Sequence, residues 1–587
     1  MEKILEAVGK EISQAFVDAG YDAGLGRVTW SNRPDLCELQ CNGAMAGAKM
    51  YKKAPMMIAN DVLEGIKNCK AVKDVEIAPP GFLNMNFDPD FLADYLRQMA
   101  ESDRFGLETD EKKKIIVDYG GPNVAKPLHV GHLRSAVIGQ CVKNLCRYMG
   151  HETIGDIHLG DWGLQMGLVI TEIKERQPDL IYFDESYEGE YPSESPVTVA
   201  ELEEIYPTAS GKSKEDEDYK AKAMEATFKL QSGVRGYRAL WKHILAVSVA
   251  DLKRNYDDLS VDFELWKGES DVHDIIPGMV QYMKDGGYAY ISEGALVVDV
   301  KEDTDTKEMP PCMILKSDGA SLYNTTDLAT IMDRMKNYAP DRMIYLTDKR
   351  QNLYFEQVFR CAKKTKLIGE DTRLDHIGFG TVNGTDGHAF KTREGGVMRL
   401  ENLIKEINDK MYEKMSDGRD MSEEEARKTS KQIALAAIKY GDLSNQPSKD
   451  YIFDIDKFTS FEGDTGPYIL YTIVRIKSIL AKYAETGRDV SKAVITSPDT
   501  KQQKNLMLEI TKFSTMMETA YEELAPNRIC AFIYDLANSF NGFYHETKIM
   551  TEEDEAKQAG YIALLSLCKN ILETGIEVLG FTAPDKM

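Results

Sequence analysis

Two histidines three residues apart, His129 and His132, flank Val130 and Gly131, and Lys126 lies just upstream. Imidazoles and an ammonium at that spacing offer donors and positive charge to an anion. A glycine between them lets a flat group approach the backbone closely. The surrounding residues say where these groups sit. Residues 115–119 are a short apolar run with one acid, Asp118, and read as a buried strand. Gly120, Gly121, Pro122 and Asn123 then punctuate it as a turn. From about Gly131, the residues Leu133, Val137, Ile138, Cys141, Val142, Leu145 and Met149 fall on one helical stripe, with Gly150 as its stop. Strand, loop and helix place both histidines at a helix N-terminus, where unpaired N–H groups and the helix dipole favour phosphate. The chemistry implied is stabilisation of charge on a transferring α-phosphate and its pyrophosphate leaving group. A zinc pair is disfavoured, since no further Cys or His lies nearby at ligand spacing, and the Walker phosphate pattern is absent. Two ordinary surface histidines remain the bland alternative at this point.

The longer string PNVAKPLHVGHLRS, residues 122–135, narrows the choice. It resembles the signature of class I aminoacyl-tRNA synthetases, and its flanks resemble the arginyl family in particular. His129-Val130-Gly131-His132 matches that class's H-I-G-H motif. The resemblance implies a catalytic domain of doubly wound parallel, Rossmann-like α/β fold, ATP with Mg2+ as substrate, and no tightly bound cofactor. Pro122, Asn123, His129, Gly131 and His132 then become candidate ATP-binding residues. Its implied partners are ATP, L-arginine and tRNA(Arg).

Composition bounds this reading. A chain of 587 residues is long enough for several domains. The apolar runs are too short to span a bilayer, and the N-terminus reads as an amphipathic helix rather than a signal peptide, so a cytoplasmic, membrane-free protein is expected. Nine scattered cysteines do not suggest a disulfide framework, and no metal site is expected. A net charge of −24 opposes polyanion binding, so an RNA-binding reading requires positive charge concentrated on one face.

Residues 1–105 read as an α+β domain. The stretch 82–87 alternates in the manner of an edge strand, Phe82, Met85 and Phe87 against Asn84 and Asn86. It resembles the family's N-terminal add-on domain that contacts the tRNA corner. Phe82 is a candidate to stack on a base and Asn84 to bond its edge, against the plainer reading of core and solvated strand. Residues 106–400 are expected to form a split catalytic domain with an insertion at about 182–290. After the opening strand and helix, His158, Asp161, Trp162 and Gln165 cluster around glycines. A structural role for Asp161 and Trp162 is favoured. Residues 182–217 shift to acids, serines and prolines and read as a solvated insertion without chemistry, with helical patterns resuming at Ala221. The nucleotide fold is expected to return at about Ala295. Thr325 or Thr326 should cap the helix carrying Leu328, Ile331, Met332 and Met335.

A guanidinium needs carboxylates, whose geometry matches its planar fork of donors. By resemblance, Asp118, Asn123, Tyr323, Asp327 and Gln351 match the positions that hold L-arginine. Asp118 departs from the family's commoner Glu, shortening the reach by one methylene. The strand near Gly380 and Val382 would offer backbone groups to adenine. In class I enzymes a K-M-S-K-S loop then clamps the phosphates. Here the stretch reads Lys391-Thr392-Arg393-Glu394-Gly395-Gly396, without the second lysine. Lys126, Lys391 and Arg393 join the two histidines as the candidate catalytic set, with Lys391 also contacting ATP. Residues 401–455 should be a helical connector, and 456–587 a helical bundle resembling the anticodon-binding domain, with Tyr468 and Arg475 as candidate tRNA contacts. A monomer is expected. The family generally needs bound tRNA for amino-acid activation, and the same is implied here.

Overall fold

The computed structural model describes residues 1–109, 111–388, 398–416 and 421–587. Strands Val28–Trp30 (β1), Leu39–Cys41 (β2), Val72–Ala78 (β3) and Phe82–Phe87 (β4) form an antiparallel sheet in the order β1-β2-β4-β3. Helices Ile4–Asp18 and Pro55–Lys67 pack on it through Val8, Ile12, Ile58 and Val62, all fully buried. The edge-strand expectation for 82–87 is corrected. β4 lies inside the sheet, and it buries Leu83, Met85 and Phe87, while Phe82, Asn84 and Asn86 share the opposite, half-buried face. Phe82 and Met85 are three apart and cannot share a face in a period-two strand.

Strands Lys114–Asp118 (β5) and Glu152–Asp156 (β6) open a parallel sheet. Ile115 and Val117 bury into one cluster and Ile116 into another across the sheet, which is why this strand reads as continuously apolar rather than alternating. Three short strands follow, Ala289–Ser292 (β7), Ala295–Val298 (β8) and Cys312–Leu315 (β9), and they form their own antiparallel sheet. The run at Ala295 therefore does not restore the nucleotide fold. That return comes with Arg342–Asp348 (β10) and Arg373–Phe379 (β11), giving the parallel order β11-β10-β5-β6. β5 and β10 are neighbours whose connections depart in opposite directions, so the crevice beyond their carboxyl ends is a topological switch point.

The acidic stretch 182–217 is more ordered than its composition suggests. Thr198 and Glu201 form a reciprocal capping box that starts helix Val199–Glu215, and helix Glu217–Gln231 follows. Leu168, Ala209, Tyr219 and Ala223 bury against one another between these helices and helix Leu164–Arg176. Among the described residues, the one strand of the otherwise helix-and-loop C-terminal region is Tyr451–Ile452 (β13), which pairs in parallel with Val382–Asn383 (β12). Helices Gly466–Glu485, Pro526–Glu546 and Glu555–Leu579 build the bundle. Among the described residues no helix is long and apolar enough to cross a membrane.

Candidate active site

The signature turn is held by its own backbone. The His129 N–H donates to His132 Nδ1 at 3.1 Å, and the Gly131 N–H donates to His129 Nδ1 at 3.0 Å. With both Nδ1 atoms accepting, each neutral ring carries its proton on Nε2, which leaves Nε2–H as a donor for phosphate. Burial, reinforced by His129 and Lys126, pushes the His132 imidazole down to about 3; burial and Lys126 also lower His129. Both rings are neutral donors at physiological pH. Their centroids are 4.0 Å apart. A Cβ on Gly131 would meet His129 Cε1 at 2.7 Å, so only glycine lets the ring fold over the turn.

Residues 122–126 are fixed as an extension of the sheet. The Val124 N–H donates to the Gly160 carbonyl at 2.9 Å, and the Gly160 N–H to the Pro122 carbonyl at 3.2 Å. Ala125 has φ +65°, a left-handed conformation uncommon for alanine, and its N–H donates to Ser248 Oγ at 3.1 Å. That kink turns the chain between Asn123, which is exposed, and the half-buried Lys126. Lys391 and Arg393 lie outside the described residues. The chain that follows them returns to the signature: the Val130 N–H donates to the Met398 carbonyl, and the Leu400 N–H to the Leu128 carbonyl, both at 3.1 Å.

On the adenine side the two candidate residues differ. The Gly380 N–H donates to the Pro447 carbonyl at 2.9 Å, and the Gly380 carbonyl accepts from Arg134 at 3.1 Å. In β12 the Thr381 and Asn383 carbonyls accept from Tyr451 and Phe453. Strand alternation therefore aims the Val382 N–H and C=O at the opposite edge. Of the pair, Val382 presents the open backbone.

The amino-acid end gathers acids. Asp327, in the first turns of helix Tyr323–Tyr338, accepts from the Tyr354 hydroxyl, and burial holds its carboxyl above the usual range despite nearby His158. Leu322 rather than a threonine is the N-cap; Thr325 sits one turn inside, where Oγ accepts from the Leu322 N–H at 3.0 Å. Tyr323 stands exposed at the mouth, and Gln351 is exposed just past the end of β10, where the open-sheet rule put it. Asp118 has a partner inside the protein: Arg334 Nη2 donates to Asp118 at 2.6 Å and to Asp156 at 2.7 Å.

Sequence reasoning missed Glu269. Residues 265–269 run beside the end of β6, with the Leu159 N–H donating to the Lys267 carbonyl at 2.7 Å and the Glu269 N–H to the Leu159 carbonyl at 3.1 Å. This delivers the Glu269 side chain next to Asp327. Burial pushes its carboxyl up to about 7, with Asp161 and Asp327 adding to the rise and His158 opposing it. His158 belongs to the same pocket and adopts φ +34°, with both ring nitrogens buried and unpartnered among the described residues. The only hint in the sequence was an acid directly after Gly268 in a segment whose pairing with the sheet edge leaves no local pattern. Asp161 is structural, as expected: it accepts from the Ser270 N–H at 3.0 Å and its hydroxyl at 2.6 Å.

The nucleic-acid candidates lie elsewhere. Phe82 and Asn84 sit on the open face of β4, Asn84 accepting from Gln40 Nε2 at 2.9 Å. Tyr468 is tied internally, donating to Asn538 at 2.7 Å and accepting from Asn541 at 2.8 Å. Arg475 lies 4.8 Å from the Tyr471 ring centre and 5.1 Å from that of Tyr544, and both tyrosines are exposed. Tyr544 completes this aromatic–cation stack and was not foreseen, because it comes from a different helix.

Three family models match the chain: the catalytic domain of class I (R) tRNA synthetases over residues 96–455, the arginyl tRNA synthetase N-terminal domain over 2–87, and the DALR anticodon-binding domain over 469–587. Arginine–tRNA ligases of Agathobacter rectalis and Alkaliphilus oremlandii are 62% and 54% identical, each over 100% of both chains. Crystal structures of the arginyl-tRNA synthetases of Plasmodium falciparum and Thermus thermophilus align with TM-score 0.79 over the whole of both chains at 24% and 20% identity, and these show the shared fold. With its signature turn, its acidic pocket and both flanking domains accounted for, this chain belongs to the arginine–tRNA ligases of the class I aminoacyl-tRNA synthetases.

Proposed function

We propose that the chain activates L-arginine with ATP to give arginyl-adenylate and pyrophosphate, then transfers arginine to the 3′-terminal adenosine of tRNA(Arg), using the residues above. The carboxylate of arginine attacks the α-phosphate. The Nε2–H donors of His129 and His132, with Lys126, Lys391 and Arg393, stabilise the charge that builds on the phosphates, mainly by electrostatics and positioning. Val382 meets adenine, and Pro122, Asn123 and Gly131 border the nucleotide. Mg2+ accompanies ATP as part of the substrate. Asp327 and Glu269 take the guanidinium, with Tyr323 at the pocket mouth, and Asn123, Gln351 and Asp118 lie toward the α-amino and carboxylate end. Phe82, Asn84 and the Tyr471–Arg475–Tyr544 stack contact tRNA. All of these residues belong to a single chain, and a monomer is the state proposed.

The single observation behind the substrate assignment is electrostatic. Asp327 and Glu269 are both held above the usual carboxylate range, and neither forms an ion pair among the described residues. A buried pair of acids with no salt bridge is electrostatically unsatisfied when ionised, and a guanidinium fits both. ATP–pyrophosphate exchange with each of the twenty amino acids, with and without tRNA, tests it. Exchange with arginine alone is expected, and only with tRNA present. Exchange with another amino acid would overturn the pocket.

A further inference from the structure

Arg134 follows the signature histidines by two residues, yet it points away from the phosphates. It is 1% exposed, on helix Leu133–Tyr148, and its guanidinium gathers segments that are distant in sequence. Nη1 donates to the carbonyls of Gly380 at 3.1 Å, Pro447 at 3.1 Å and Lys449 at 2.8 Å. Nε donates to Asp442 at 3.2 Å, and the fully buried Asp442 accepts from the Tyr451 hydroxyl at 2.8 Å. The guanidinium carbon lies 5.0 Å from the Tyr451 ring centre. Residues 447–453 form a strap laid along the adenine edge. The Thr381 N–H donates to Asp450 at 2.7 Å, and Lys349, in the turn that carries Gln351, pairs with Asp450 at 2.8 Å. A Cβ on Gly380 would meet the Lys449 backbone at 2.5 Å, so the two segments touch with nothing between them. The strap joins helix Glu423–Leu443 to the bundle that begins with Gly466–Glu485.

We propose that Arg134 is a positioning residue for ATP: it locks the Val382 edge in register with the His129–His132 turn by way of the connector that leads into the helical bundle. This rests on the assignment of Val382 and the histidines to ATP. A guanidinium suits the task because its planar fork binds several carbonyls at once, whereas a lysine ammonium is a point charge on a flexible stem. Without the anchor, the signature helix and the adenine edge remain folded but lose their fixed spacing. Small misplacements of that kind cost catalysis steeply.

The test is ATP–pyrophosphate exchange by R134K and Y451F in the full-length chain with saturating tRNA. The expected result for R134K is a rise of about tenfold or more in KM for ATP and a fall of similar size in kcat. KM for arginine and the dissociation constant for tRNA should stay within about twofold, since Arg134 bonds none of the residues assigned to either ligand. Y451F keeps the ring and loses only the hydroxyl bond to Asp442; a smaller change in the same direction, with an unchanged thermal midpoint, supports the proposal. Constants for ATP and arginine rising together would overturn it, as would unchanged ATP constants in Y451F together with a folded, fully active R134K. The unsubstituted chain separates the two readings: absence of its arginine-dependent exchange strikes the proposed function, whereas a missing ATP-specific effect in the variants strikes the role of Arg134 alone.

Discussion

The two ends of the proposed active-site crevice are built on opposite electrostatic plans. Among the described residues, the proposed phosphate end holds its donors in place without a ligand. Its imidazoles are neutral, their Nδ1 atoms are satisfied by backbone N–H groups, and their free donors are aimed by a turn that tolerates no side chain at Gly131. The proposed amino-acid end is unfinished: among the described residues Asp327 and Glu269 are desolvated with no salt bridge to either, and His158 has no hydrogen-bond partner for either ring nitrogen. A preorganised site gains rate because nothing must rearrange as charge develops. An incomplete site gains selectivity, because a ligand lacking the matching group leaves buried acids unpaired. A lysine ammonium is a point charge without the planar fork of donors, so in such a pocket it would leave one of the two acids poorly paired.

The sharpest way to break this contrast is D327N. It keeps the shape of the pocket and removes one carboxylate, so kcat/KM for arginine should fall about 10³-fold or more, measured by exchange at varied arginine. Retention of activity within about tenfold would show that the guanidinium is held elsewhere. At the opposite end, H132A should lower kcat by about 10²–10³-fold while leaving KM for arginine within about twofold. A large rise in KM for arginine in that variant would mean the two ends are not separate.

These ends also differ in how they were written in the sequence. The part of the proposed phosphate end that carries the histidines is contiguous: strand, turn, histidines and helix lie within residues 114–148, so short-range pattern and a long motif match were enough to read it, whereas Val382, Lys391 and Arg393 come from far along the chain. The arginine end draws on residues 118, 158, 269, 327 and 351, and only tertiary pairing brings them together. Asp118, Asp327 and Gln351 were reachable as polar residues at element ends. Glu269 was not, because its position depends on a segment pairing with the edge of β6 by irregular bonds. The same limit hid the Arg334 bridge to Asp118 and Asp156, which follows from strands that meet only in the folded sheet. Composition at 182–217 marked a largely exposed stretch but hid a helix that starts at Val199, where Glu201 serves a cap and Glu204 a surface ion pair. Pairing was also behind the misplaced Ala295 strand: alternation identified a strand but not which sheet it joins.

E269Q sharpens the comparison at moderate size. KM for arginine should rise by about 10–100-fold. The free protein should become more stable above neutral pH, by on the order of 1–2 kcal/mol. A carboxyl pushed up to about 7 binds more protons in the folded state than in the unfolded one. The wild-type fold therefore loses stability as pH rises from the ordinary carboxylate range through 7, and the amide removes that loss. Thermal melts at pH 5 and pH 8 check the sign; a variant destabilised at pH 8 would refute it. In the same variant the wild-type trend of KM for arginine, falling by about tenfold from pH 6 to pH 8 as Glu269 ionises, should disappear.

The smallest effect expected is a flat line, and it discriminates between the ends most cleanly. His132 is pushed down to about 3, so its ring gains no proton between pH 6 and pH 8, and burial and Lys126 lower His129 in the same direction, toward the neutral form. With arginine, ATP and tRNA all saturating, kcat for exchange should change by less than about twofold across that window, because the arginine carboxylate is already ionised and the imidazoles act as neutral donors. A limb rising toward acid pH, abolished in H132A, would mean that an imidazolium carries the phosphate charge. The phosphate end would then be as incomplete before binding as the arginine end, and the contrast between them would collapse.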